Sequence, residues 1–359
     1  MPAPVRVGII ANPVSARDIR RVISHAAGLP LGERANMLLR IVAALAACGT
    51  DEVWLMPEGE GLRAHFERML PALAADCADP LPAIVWVEMP VSGHTADSTR
   101  AAEIMHQAGL SAILVLGGDG THRAVVKGCG KTPIAGISTG TNNAFPPMRE
   151  ATVTAFAAGL YAAGKIPAEA AVRRNKCLHI RRFGADNTLL QHDLALIDAA
   201  ILNERMLGAK AIGDADTLRT IVVTQASVEA VGLSAIAAML HPLDRHEAGG
   251  LVLELIPPAG EHAAAQAAVA LQAVMAPGTV KTITVAACTR LFSDGLYTLS
   301  GQNGLIALDG EREIAFRTHE RIEISLQENA FYTVDTAAAL HYAARHRLTA
   351  HPVSQGETS

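Results

Sequence analysis

The sequence predicts an α/β part built on a parallel sheet over residues 1–150, a β-rich part over 151–330, and a closing segment 331–359. Three observations predict this. Short apolar runs alternate with longer helical patterns through the first 150 residues, as in buried parallel strands covered by helices. Beyond residue 163 the texture changes to alternating segments separated by Gly, Asn and Asp turns. Finally, 359 residues exceed the ~150 of one ordinary domain and can bury a core without disulfide or metal staples.

Taken in order, strands are expected at 5–11, 52–56, 83–88, 112–116 and 133–137. Helices at 18–27, 33–48, 62–75, 95–107 and 121–129 separate or follow them, and another covers 152–163. The second part should place strands at 172–182, 189–199, 251–256, 279–285, 305–308 and 321–326. Helical insertions are expected at 233–240 and 262–275. A last helix, 335–345, is expected to pack back on the first part, and 355–359 to fray.

Composition excludes several classes. Half the residues are hydrophobic and 18% are charged, so extended disorder is excluded. No apolar run approaches the ~20 residues of a membrane helix. Net charge is −5, from 30 Lys and Arg against 35 Asp and Glu, which argues against nucleic acid or stable association with an anionic membrane. Seven Phe, four Tyr and two Trp are too few for a base-stacking surface. The five cysteines are scattered without a C-x-x-C, which points to a reducing compartment rather than a disulfide or zinc framework. With Met1 leading directly into a strand pattern and no signal peptide, the expected location is cytoplasmic. The histidines show no H-x-x-x-H pairing, and no G-x-S-x-G elbow is present.

The strongest local feature is Gly117-Gly118-Asp119-Gly120-Thr121-His122-Arg123, directly after an apolar strand pattern and opening a helical one. Glycines let backbone approach a bulky ligand, and the following helix start offers N–H groups to an anion. A carboxylate there can hold Mg²⁺ or accept a proton from an attacking hydroxyl. A tight strand-to-helix turn capped by Asp119 or Thr121 is an equal reading of these residues alone. A second loop, Ser138-Thr139-Gly140-Thr141-Asn142-Asn143, follows the next strand with three hydroxyls and two amides. Two such loops on consecutive strands look like halves of a phosphate cradle. Neither has Walker A or G-x-G-x-x-G spacing. A third turn, after the first strand, holds Asn12, Ser15 and Arg17, with Arg20 and Arg21 beyond; these arginines suit phosphate or simply a solvated helix face. Arg173, Arg174, Lys176, His179, Arg181 and Arg182 crowd one strand pattern and read mainly as a solvated face.

G-G-D-G-T after a strand, Gly140-Thr141-Asn142-Asn143 with Pro146 nearby, and Asn12-Pro13-Val14-Ser15 behind the first strand resemble the NAD kinase/diacylglycerol kinase superfamily. Within it, the chain most resembles the ATP-NAD kinase-like group of acetoin catabolism protein X. The resemblance implies a Rossmann-like α/β domain, a β-rich domain and a nucleotide site between them. It implies that Asp119 acts with Mg²⁺ or another divalent cation and as base on the acceptor hydroxyl. It implies that Gly117, Gly118, Gly120 and Thr121 form the phosphate-binding loop, and Arg123, at the end of the same extended loop, is a further candidate for binding the nucleotide. Leu196-Ile197-Asp198 lies where the family has an Asn-Glu pair; by the resemblance Asp198 can replace the glutamate, Ile197 cannot replace the asparagine, and Leu202-Asn203-Glu204 is a competing match. Ser234 lies in the counterpart of a small-residue loop that here lacks its tyrosine, and Asp309-Gly310-Glu311 matches a late Asp-Gly motif with a lipid-kinase flavour.

These residues lead to the expectation of a kinase that uses ATP and Mg²⁺ to phosphorylate the adenosine-ribose 2′-hydroxyl of NAD(H). A lipid or small-polyol acceptor, and a non-catalytic NAD(H)/ATP-binding regulator, stand as alternatives. The family resemblance also implies a homo-oligomer.

Overall fold

The computed structural model describes residues 3–11, 30–139, 143–203, 217–256, 268–276, 278–310 and 312–350. The predicted helix 18–27 lies outside them. The first part runs β1 (Arg6–Ala11), α1 (Leu31–Cys48), β2 (Glu52–Leu55), α2 (Leu62–Asp76), β3 (Ala83–Trp86), α3 (Ala96–Gln107), β4 (Ala112–Gly117), α4 (Asp119–Val126) and β5 (Ile134–Ser138). These five strands pair in parallel in the order β3-β2-β1-β4-β5. Alternate side chains explain why helices cover both faces. Val7, Ile9, Leu114 and Leu116 pack with α1 and α2, whereas Ile10, Ile113 and Val115 pack against α3 and α4. Gly49, at φ +84°, ends α1 in the left-handed conformation that favours glycine.

Next come α5 (Ala151–Ala162), α6 (Ala168–Ala171), β6 (Val172–Phe183), β7 (Leu189–Ala195), β8 (Asp198–Leu202), β9 (Leu218–Val223), α7 (Leu233–Ala238) and β10 (Gly250–Ile256). The chain then adds β11 (Val269–Ala276), β12 (Thr279–Leu291), β13 (Leu296–Leu299), β14 (Gly304–Leu308), β15 (Arg312–Phe316), β16 (Arg321–Val334) and α8 (Thr336–Arg345).

β16 inserts between β5 and β6, parallel to the former and antiparallel to the latter. The first sheet therefore takes strands from both sides of residue 150. A second, antiparallel sheet has the order β11-β12-β10-β9-β8-β14-β15. The sheets meet through Leu178, Ile180, Ile322 and Ile324 on one side and Ile201, Val222, Val252 and Ile306 on the other. The outer face of the second sheet is closed by Leu233, Ile236 and Ala237 of α7. In α8, Ala339 and Ala343 share a core with Cys48 of α1 and with Ala157 and Leu160 of α5.

Two expectations are corrected. The helix anticipated at 262–275 is a strand over its described part, β11, paired with β12 from Val269↔Val285 onward. Its alanines favour helix locally, but pairing turns Ala273 and Met275 into the second core and overrides that preference. The single strand anticipated at 189–199 breaks at Leu196 and Ile197, and its two pieces enter different sheets.

Candidate functional site

The order of the first sheet reverses between β1 and β4, and open parallel sheets bind ligands beyond the strand ends at such a switch point. The Gly117–Arg123 loop leaves β4 there. Gly118 is the N-cap of α4 and supplies no side chain, so neither Asp119 nor Thr121 caps the helix. Instead the Asp119 carboxylate turns to the second loop: the Ala144 N–H donates to Oδ2 at 3.0 Å and the Phe145 N–H to Oδ1 at 2.8 Å. Asp119 is 5% exposed, and the two bonds lock the loops of β4 and β5 together.

The glycines are required by this closure. A Cβ on Gly117 would lie 2.5 Å from Thr121 Oγ1, and one on Gly118 would lie 2.8 Å from Asn143 Oδ1. Asn143 donates in turn to Ser138 Oγ at 2.7 Å. Thr139 is buried, and its hydroxyl has no hydrogen-bond partner among the described residues. Gly120 and Thr121 lie buried in the first turn of α4. Asn12, Ser15, Arg17, Gly140, Thr141 and Asn142 lie outside the described residues.

A second constellation joins the sheets. Arg123 reaches from α4 to the Leu308 carbonyl at 3.0 Å and to Asp309 Oδ2 at 3.4 Å. Asp309, at φ +47°, sits at the β14–β15 turn with its side chain fully buried. The N–H groups of Leu196 and Ile197 donate to its Oδ1 at 3.0 and 2.8 Å, and that of Asp198 at 3.3 Å. The break between β7 and β8 thus has a physical cause. The backbone there bonds a carboxylate instead of a neighbouring strand. Arg123, Asp198 and Asp309 come together, with Arg123 and Asp309 spent on each other. Ser234 is buried elsewhere; its hydroxyl donates to the Gln225 carbonyl at 3.1 Å and accepts from Ser227 N–H at 3.3 Å.

Sequence reasoning missed Arg245. Its Nε donates to Gln225 Oε1 at 3.0 Å and its Nη2 to the Phe145 carbonyl at 2.7 Å, while the guanidinium lies 4.4 Å from the Phe145 ring centre. Burial draws its pKa below the ordinary value, with the Asp119 and Asp244 carboxylates opposing. Arg245 is thus a cation of the second part within electrostatic reach of Asp119. Nothing in the run Asp244-Arg245-His246-Glu247 ties it by spacing to the glycine loops. Lys176 was also misread as part of a solvated face. It is 7% exposed, and its Nζ donates to the carbonyls of Asp244 and Glu247 and, at 2.8 Å, of Gly249. It anchors the segment that carries Arg245.

His122 lies fully buried below the loop. Nδ1 donates to the Gly118 carbonyl at 2.9 Å, and Nε2 has no partner among the described residues. Burial is the main cause that pulls its pKa down to about 4, opposed by the Gly118 bond and reinforced by Arg245. Between the unfolded value of 6.5 and about 4, the unfolded chain binds the proton and the fold does not. Stability must therefore fall as pH drops through that window, by about 3 kcal/mol in full. His122→Leu should flatten this slope in urea titrations at pH 7, 6 and 5, because it also removes an unsatisfied buried nitrogen. An unchanged slope would assign the acid sensitivity elsewhere.

Residues 7–166 match the ATP-NAD kinase N-terminal domain, and residues 176–329 match the acetoin catabolism protein X C-terminal domain. Acetoin catabolism protein X of Cupriavidus necator is 48% identical over 348 residues, covering 96% of this chain and 94% of that protein. Among solved structures, yeast NADH kinase complexed with NADH aligns at TM-score 0.48 and 11% identity, over 100% of this chain and 89% of that one. A putative diacylglycerol kinase from Bacillus anthracis aligns at TM-score 0.35 and 13% identity, over 79% and 96%. No described helix is long and apolar enough to cross a membrane. With an ATP-NAD kinase-type α/β part and its own form of β-rich C-terminal part, the chain belongs to the acetoin catabolism protein X family.

Proposed function

We propose that the chain is a phosphotransferase that moves the γ-phosphoryl group of ATP onto the adenosine-ribose 2′-hydroxyl of NAD(H). The observation that carries this reading is Asp119. A buried carboxylate stands at the head of α4, beyond β4, held by two N–H groups of the neighbouring loop. In this reading, residues 1–150 hold the nucleotide phosphates and 151–330 supply the acceptor side, with Asp198 near the acceptor. The protein works in the cytoplasm as a homo-oligomer.

Asp119 accepts the Ala144 N–H on one oxygen and the Phe145 N–H on the other, and a carboxylate at this place can also accept a proton. That capacity suits taking the proton of an attacking hydroxyl. Among the described residues no three His, Cys, Asp or Glu side chains form a metal cage. A Mg²⁺ ion carried by polyphosphate needs only one or two carboxylates, its other ligands being phosphate oxygens and water, and Asp119 fits that demand. Such an ion supplies neutralisation of the phosphate charge. The first-turn N–H groups of α4 face the same region, and positioning with electrostatics accounts for most catalysis in this reaction class.

The test incubates the purified protein with ATP, Mg²⁺ and either NAD⁺ or NADH, with mass spectrometry of the products. The expected result is a dinucleotide heavier by one phosphoryl group and an equal amount of ADP. Nucleotide binding without product from either form would defeat the acceptor assignment and favour the binding-only alternative.

A further inference from the structure

A cavity of about 360 Å³, within the range of small-molecule sites, is lined in part by Arg245. Three elements wall it: the start of β6, the segment 244–249, and the point where β16 bulges out of register with β6 between Gln327 and Phe331. The bulge places Asn329 at φ +54° and turns Glu328 toward the rim.

The lining is cationic. Arg173, Arg174, Lys176 and Arg245 contribute four positive charges against Glu247 and Glu328. Both carboxylates are engaged: Glu247 pairs with Arg290 at 2.5 Å, and Glu328 accepts the Gly249 N–H at 2.8 Å. Arg173 is paired with Asp335 at 3.3 Å, and Lys176 is committed to its three carbonyls. Arg174 is exposed, and its guanidinium makes no hydrogen bond or ion pair among the described residues. Arg174, with its unengaged guanidinium, and Arg245 therefore both line a cavity whose acids are already engaged. Guanidinium forks match phosphate oxygens in geometry as well as charge.

Arg245 also ties the cavity to the carboxylate loop. It donates to the Phe145 carbonyl, and the Phe145 N–H donates to Asp119. Phosphate drawing on the same guanidinium must act on the peptide that fixes Asp119. We propose that this cavity is a phosphate site distinct from the glycine loops, which takes the phosphate group of a small metabolite between Arg174 and Arg245 and couples its occupancy to the nucleotide site. Binding free energies couple reciprocally, so each ligand changes the other's affinity by the same factor.

Calorimetry with inorganic phosphate and glycerol 3-phosphate tests this on the full chain, alone and saturated with ADP to fill the glycine loops. Phosphate should bind the ADP-saturated protein, and Arg174→Glu should weaken that binding at least tenfold while ADP affinity in the absence of phosphate stays within twofold. Tighter binding of glycerol 3-phosphate assigns the site to phosphate esters; equal or weaker binding overturns the metabolite assignment. Absence of phosphate binding, or binding that Arg174→Glu and Arg174→Gln leave intact, overturns the site. Phosphate binding that leaves ADP affinity unchanged overturns the coupling. If ADP itself fails to bind, the kinase reading falls, and the phosphate titration of the protein alone still decides the cavity through the Arg174 variants.

Discussion

Asp309→Ala is expected to destabilise the protein by about 3–5 kcal/mol, a large share of the stability of a folded chain. The substitution removes the acceptor for the Leu196, Ile197 and Asp198 N–H groups and leaves the buried Arg123 guanidinium without its counter-charge. Alanine must also take over a left-handed backbone at φ +47°, which aspartate and asparagine tolerate better. Removing the other partner should cost much less. In Arg123→Met the carboxylate keeps its three N–H donors and loses only the 3.4 Å contact to Arg123, while the Leu308 carbonyl loses its bond. Urea unfolding of the two variants measures this asymmetry, with Asp309→Asn expected between them. Equal losses from Asp309→Ala and Arg123→Met would mean that the ion pair, not the ring of N–H groups, holds the sheets together.

Asp119→Asn should lower the phosphotransfer rate by about 10²–10⁴-fold, the usual contribution of a positioned base. An amide keeps one acceptor oxygen, so one of the Ala144 and Phe145 N–H groups stays bonded and the stability loss should be limited to about 1–2 kcal/mol. Asp119→Ala forfeits both bonds and should also loosen the second loop, with weaker ATP binding as the sign. Rates under saturating ATP together with urea midpoints separate the two roles. An asparagine variant with wild-type turnover would remove Asp119 from proton transfer and leave it as the clasp between loops.

Much of the first part was legible because its signals are local. The run Ala112–Gly117 is apolar throughout, ends in two glycines and precedes a helical pattern, and each of these is a short-range property. Asp119 stands out by the same local pattern, as the carboxylate of the glycine loop after β4. What escaped the sequence depends on contacts between distant segments. Leu196 and Ile197 look like strand interior until Asp309, more than a hundred residues away, takes their N–H groups. Lys176 resembles its exposed neighbours on β6 until three carbonyls of segment 244–249 enclose it. Arg245 gains its meaning only from Phe145, a hundred residues earlier. The alanines of β11 favoured helix, and only their register with β12 shows the strand.

The late insertion of β16 bears on how the chain is made. During synthesis β5 and β6 leave the ribosome well before the strand that must lie between them, so both expose unsatisfied edges until Val334 has emerged. The first part cannot finish its own sheet first and wait for the rest. Folding of the first sheet is therefore tied to completion of nearly the whole chain, a high-contact-order route that is slow and exposed to mispairing in the interval. A nascent chain stalled before residue 321 would present two open strand edges to chaperones, whereas the released chain, with β16 in place, can close both.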